Sequence, residues 1–195
     1  MATTNEIKNL ALFELGFINE VDFNVATNKT VILVNRVYDL ARETSLQRYS
    51  WGFARKVLSS SSPTTLTDEK YRYRHDLPTD FLGYRHSFVN KGLTSAIKDY
   101  EVKASDTDAG IYVNSESIWL EYTYDIDDEN LPQYYVNYFK YRLALDMCFN
   151  LTGDPNLESK LTTLEATQYI KAKNIEAKQK RTKRIVSSPF VDIRH

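Results

Sequence analysis

Residues 132–155 read PQYYVNYFKYRLALDMCFNLTGDP, and this stretch decides the fold. Between Pro132 and about Leu151 the apolar side chains follow helical spacing on two stripes at once. Val136, Phe139, Leu143 and Met147 form one, and Tyr134, Tyr138, Tyr141 and Leu145 the other. A helix apolar on more than one side is buried on several sides, so this one belongs inside a bundle. Gly153-Asp154-Pro155 then stops and restarts the chain. Glycine ends the helix, Asp154 caps the next, and Pro155 sits at its first position. The new helix is expected to run to about residue 181, roughly 39 Å at ~1.5 Å per residue. Its apolar stripe is Leu157, Leu161, Leu164, Gln168, Ala172 and Ile175.

Upstream, Thr3 and Glu6 have the spacing of a capping box, and Ile7, Leu10, Ala11 and Leu15 form one helical face up to Gly16. A second helix starts near Thr27 or Asn28. Val31, Leu33, Val34, Val37, Tyr38, Leu40 and Ala41 leave only Arg36, Asp39 and Glu43 as a polar line. That helix too is expected to be covered on several sides, by its own domain or by a neighbouring subunit. Ser59 to Ser62 with Pro63 read as a loop. From about 69 the pattern changes to alternation: Glu69 to His75, then Tyr100, Val102 and Ala104, then Ile111 and Val113, then Ile118, Leu120, Tyr122 and Tyr124.

The expected class is α+β, mainly α: an antiparallel helical bundle with an inserted small antiparallel β platform and an extended C-terminal arm. Residues 1–181 form one domain, with helices about 4–16, 28–48, 132–151 and 155–181 and the platform at about 69–126. Residues 182–195 form the arm.

Composition narrows the function. The chain has 195 residues, and 42% hydrophobic content is enough for one core. A net charge of −1 argues against a chain-wide nucleic-acid surface. The single Cys148 rules out an internal disulfide and a cysteine-rich zinc site. Charges at Glu6, Lys8 and Glu14 interrupt any N-terminal signal segment, and no apolar run approaches the ~20 residues of a membrane span. Synthesis in a reducing cytoplasm and no membrane partner are therefore expected. Fourteen tyrosines point to an interaction protein, because tyrosine is enriched at interfaces.

Chemistry-bearing clusters are few. His75, Asp76 and Asp80 lie close in sequence but lack the helical spacing of metal ligands, and read as hydrogen-bonding residues at the Leu77-Pro78 bend. Asp125, Asp127, Asp128 and Glu129 lack the glycine and glutamate of a calcium loop and read as a solvated acidic loop before a helix. No phosphate-binding loop, dinucleotide fingerprint or nucleophile elbow is present. No catalytic residue, metal or cofactor is expected. Lys171, Lys173, Lys178, Lys180, Arg181, Lys183 and Arg184 are opposed only by Glu176, and Phe190, Val191 and Ile193 follow. Such a segment suits docking on a protein partner, since apolar anchors add little to phosphate contact. Non-specific DNA binding by the same basic residues is the alternative.

The order of features resembles the tail tubular protein A-like head-to-tail adaptors of short-tailed bacteriophages over nearly the whole chain. The resemblance rests on Ala11-Leu12-x-x-Leu15-Gly16, on Tyr38-Asp39-Leu40-Ala41-Arg42, and on the aromatic element Trp51-Gly52-Phe53-Ala54. It continues through Tyr71, Tyr73, Leu77, Pro78 and Asp80, then Ile118, Leu120 and Tyr122, then Phe139, Leu143-Ala144 and Leu151-Thr152-Gly153. The family often has proline before the tryptophan, where this chain has Ser50. The resemblance implies a virion structural protein at the head–tail junction and no enzyme. It implies a twelve-subunit homo-oligomeric ring between the portal protein and the tail nozzle or hub, with genomic DNA sliding non-specifically through its centre. The basic C-terminal arm with Pro189-Phe190 is a second departure and matches no family position; on the adaptor reading Lys178, Lys180, Arg181, Lys183, Arg184, Phe190 and Ile193 are expected to form a portal-docking arm. Tyr100, Tyr112, Trp119, Tyr122 and Tyr124 on the platform are expected to face a neighbouring subunit or the tail.

Overall fold

The computed structural model describes residues 2–25, 28–67, 70–103 and 108–179, and its fold is α+β. Among the described residues, four α-helices, α1 (Thr4–Glu14), α2 (Lys29–Gln47), α3 (Gln133–Thr152) and α4 (Pro155–Gln179), flank seven strands, with a short 3-10 turn at Asp128–Asn130 before α3. The strands are β1 (Arg55–Ser60), β2 (Thr64–Thr65), β3 (Tyr73–His75), β4 (Phe81–Phe88), β5 (Glu101–Lys103), β6 (Gly110–Val113) and β7 (Ile118–Tyr124).

The helix boundaries have local causes. Thr3 accepts from the Glu6 amide and Glu6 from the Thr3 amide, so the box that starts α1 is complete. Asn28 caps α2 through the Thr30 amide. Gly153 ends α3 in the left-handed conformation, φ 62°, and Asp154 accepts from the Asn156 amide to start α4.

Helix α3 is the hub: α1, α2 and α4 all pack on it. Tyr135, Val136, Tyr138, Phe139, Leu143, Ala144, Met147 and Cys148 are buried among them. Of the two apolar stripes read from the sequence, Val136, Phe139, Leu143 and Met147 are buried within one chain, whereas in the other Tyr138 is buried and Tyr134, Tyr141 and Leu145 are half-buried. Within the single chain, helix α2 is covered on one side. It buries one stripe, Val31, Val34, Tyr38, Ala41 and Ser45, and leaves Ile32 and Leu40 exposed. On α1, Leu12 is buried and Leu10 sits outward, because α1 meets α3 through Ile7, Ala11, Leu12 and Leu15.

The platform begins earlier than the expected residue 69. Strand β1 covers Ser59 and Ser60, which had read as loop, and pairs with β7 from Arg55↔Thr123 to Ser60↔Ile118. Its side chains are mostly exposed, so no apolar alternation marks it. Two antiparallel sheets result, in the orders β1-β7-β4 and β2-β3-β6-β5. Ile111 and Val113 of β6 meet Ile118, Leu120 and Tyr122 of β7 in a second, smaller core.

A short strap, Trp51-Gly52-Phe53-Ala54, joins bundle to platform. Trp51 is wholly buried, and its ring lies 4.9 to 6.3 Å from those of Tyr49, Phe53, Tyr135, Tyr138 and Tyr169. Its indole N–H donates to the Ser45 carbonyl at 3.1 Å. Strand β4 contributes through two irregularities in its pairing, at Phe81/Gly83 and Tyr84/His86. A bulge re-aims the side chain it frees. Here Leu82 packs on the bundle core, and Arg85 donates to the carbonyls of Trp51 at 2.6 Å and Ala54 at 3.3 Å.

Replacing Trp51 by alanine is expected to cost about 3–5 kcal/mol, the range for a large buried aromatic. Leu40→Ala, on an exposed site, should stay within about 0.5 kcal/mol. Denaturant melts of the two variants check the contrast.

Candidate functional site

The acidic loop before α3 is not simply solvated. Arg42 donates to Asp128 at 2.7 Å, to Asp125 at 2.6 Å and to the Ile126 carbonyl. Tyr38, one turn earlier on α2, donates to the other Asp128 oxygen at 2.8 Å, and Thr4 of α1 donates there at 2.5 Å. One carboxylate thus ties α1 and α2 to the loop that starts α3. Burial alone would lower the Arg42 pKa, but the Asp128 and Asp125 carboxylates outweigh it and hold the guanidinium charged. Burial, reinforced by Asp128, pushes the Tyr38 hydroxyl far above its ordinary range. Thr3, Asp39, Asp127 and Glu129 complete a polar cleft of about 650 Å3 around this clamp.

Two further acids are buried where the sequence suggested only a helix surface. Glu165 on α4 pairs with Arg48. Glu176 accepts from the Gly52 amide at 2.7 Å and from the Tyr134 hydroxyl at 2.5 Å. Leu161, Glu165, Gln168, Ala172 and Glu176 share helical spacing, which was the available signal.

The platform's titratable groups are dispersed. His75 is buried, with Nδ1 2.8 Å from the Ser60 hydroxyl and Nε2 3.0 Å from the Ser115 carbonyl. A carbonyl can only accept, so Nε2 donates to Ser115. Asp76 faces Arg74, whereas Asp80 accepts from Lys56 at 2.5 Å and from Tyr122 at 2.9 Å. The structure does not bring His75, Asp76 and Asp80 together. Among the described residues no group of three or more His, Cys, Asp or Glu is placed to hold a metal ion. Cys148 is buried in α3. Among the described residues no helix is long and apolar enough to cross a membrane.

The five platform aromatics separate. Tyr112 and Tyr122 are buried within the chain, their hydroxyls bonded to the Asp108 carbonyl and to Asp80, so they form no exposed surface. Trp119 and Tyr124 are half-buried, and Tyr100 is 40% exposed. Tyrosine is amphipathic, and sequence alone does not say which end meets water. Of the docking-arm residues, Lys178 is exposed on the last turn of α4. Lys180, Arg181, Lys183, Arg184, Phe190 and Ile193 lie outside the described residues.

Large exposed apolar groups are spread over the chain, among them Val89 on the platform side, Phe149 of α3 and Ile170 of α4. Leu10, Phe13 and Ile18 belong to α1 and its following loop, where they line a groove of about 850 Å3. Ile32 and Leu40 lie on the outward face of α2, among Arg36, Asp39 and Glu43. No protein-family model matches the chain, and no curated protein is significantly similar to it.

Two outcomes follow. Arg42→Ala leaves Asp128 nearly buried without its cation and is expected to cost about 3–5 kcal/mol. Adding Asp128→Ala should recover part of that loss in a double-mutant cycle followed by denaturant melts. The second concerns alkali. Burial raises the hydroxyl pKa of Tyr38, Tyr84, Tyr134, Tyr135 and Tyr138, and pushes Tyr122 up to about 12. A folded value above the unfolded value of about 10 makes the contribution complete below that pH and lost as pH rises through the folded value. Melting temperature should therefore fall from about pH 10 upward, with a tyrosinate fraction that ionises only on unfolding. Thermal melts and tyrosinate absorbance across that range check it.

Proposed function

We propose that this chain is a head-to-tail adaptor of a short-tailed bacteriophage. Copies of it would form a ring, twelve in number by the family resemblance, between portal and tail nozzle in the virion. Genomic DNA would pass through the centre.

One observation carries the reading. The hub α3 buries its central apolar residues against helices of its own chain, while α1, the loop after it and α2 turn Phe13, Ile18, Ile32 and Leu40 outward; Phe149 near the end of α3 and Ile170 of α4 are exposed as well. A chain that completes its core and still displays large apolar groups on two adjoining outer helices is suited to association. The surrounding charges on α2 are those of an interface rim. Three of the sequence elements that carry the resemblance also have structural work. Tyr38 and Arg42 grip Asp128, Trp51 to Ala54 joins bundle to platform, and Gly153 ends the hub helix. Ring contacts are heterologous, and they close when their rotation fits a cyclic template such as a portal.

The test is the solution mass of the protein alone and mixed with the portal ring of the same genome. One adaptor per portal subunit is the expected outcome. Leu40→Asp should preserve the fold yet weaken that assembly by roughly tenfold or more, as loss of an interface anchor does. Absence of any complex, together with DNA binding that weakens steeply with salt, would favour the DNA-binding alternative.

A further inference from the structure

The groove along α1 has an apolar stretch, a row of amides at Asn5, Asn9 and Asn19, and an acidic margin. Leu10, Phe13, Phe17, Ile18 and Val21 supply the first, with Phe13 64% and Ile18 87% exposed. Glu6 and Glu20 supply the last, and no lysine or arginine lines the groove. Gln133, the first residue of α3, lines it as well.

The described end of α4 lies close by. Glu176 is bonded to Tyr134, the neighbour of Gln133, and α4 ends three residues later at Gln179. The chain continues as KRTKRIVSSPFVDIRH over residues 180–195. Four basic residues come first, then Ser187-Ser188-Pro189, then Phe190, Val191 and Ile193. Ten extended residues reach roughly 33 Å, about three times the ~10–12 Å diameter of the helix that separates Tyr134 from the groove. Length is therefore ample, and the chemistry is complementary in both respects: apolar anchors for the apolar lining, and cations for Glu6 and Glu20.

The geometry points to residues 180–195 of the same chain as the occupant of this groove in the free subunit. Phe190 and Ile193 fill the space beside Phe13 and Ile18, and the basic residues lie along the acidic margin. The segment thereby covers the most exposed apolar part of α1 before assembly. Any partner that takes the segment uncovers that face, which couples partner binding to exposure of a second surface. The inference goes beyond the adaptor reading and does not rest on it, since it concerns this chain alone.

The test uses the full chain with Phe190 replaced by the photocrosslinker p-benzoylphenylalanine. Illumination should give a cross-link within the monomer, to the tryptic peptide spanning residues 9–29, at a yield independent of protein concentration. Phe13→Glu, at an exposed position, should lower that yield by roughly tenfold, the occupancy lost with one large apolar contact. Its circular dichroism should be unchanged. A cross-link to another part of the monomer, or none, would overturn the inference. So would a cross-link to the same peptide found only at dimer mass, which would assign the groove to a second copy.

Discussion

The strap from Trp51 to Ala54 is held from opposite directions by groups that belong to different halves of the molecule. Glu176 of α4 accepts from the Gly52 amide, while Arg85 of β4 donates to the carbonyls on either side, at Trp51 and Ala54. The strap's own tryptophan lies in the bundle, against Tyr135 and Tyr138 of the hub helix. Backbone polar groups in a buried segment need partners as firmly as side chains need packing. Here the carboxylate and the guanidinium supply them, each using charge-assisted bonds. The joint is thus both apolar and ionic. Neither the sheet of β1, β7 and β4 nor the pair α3 and α4 could shift without leaving one of those ions unpaired.

The same logic recurs at Asp128. Three donors from two helices converge on a single carboxylate, so α1, α2 and the start of α3 are fixed relative to one another at one point. Networks of this kind stabilise when every member is satisfied and cost heavily when one is removed. The two ionic knots stand outside the aromatic core and fix how its helices are placed. Packing supplies the driving force, and the knots supply uniqueness of arrangement.

What was legible in the sequence was local. The glycine stop at Gly153, the Thr3–Glu6 box and the double stripe on α3 all express interactions within a few residues, and the structure has each of them. What was hidden was long-range. Strand β1 has no apolar alternation of its own and exists because β7, some sixty residues later, pairs with it. Asp128 looked like a member of a solvated acidic run because its partners Arg42 and Tyr38 lie 86 and 90 residues away. Glu165 and Glu176 kept the helical spacing of core positions, but their charge disguised it. The breadth of apolar surface on α2 was visible, yet whether a neighbouring helix or open surface met it could not be. Only Ile32 and Leu40 emerging outward separates the two cases.

That separation bears on how the molecule is used. A protein that needed its neighbours to complete a core would leave hub residues exposed, and folding would then depend on protomer concentration. Here the central hub residues from Tyr135 to Cys148 that meet α1, α2 and α4 are buried, with Phe149 beyond them exposed, and the buried Glu165 and Glu176 find their partners inside the chain. The exposed groups on α1 and α2 therefore act after folding, not during it. Association through such faces must overcome the loss of translational and side-chain freedom, and the area available on one copy is modest. A repeated contact held against a preformed cyclic partner gains from effective concentration what each single contact lacks. A chain that closes its core with its own helices, with apolar groups on α1 and α2 turned outward, has the properties that the proposed templated assembly would require.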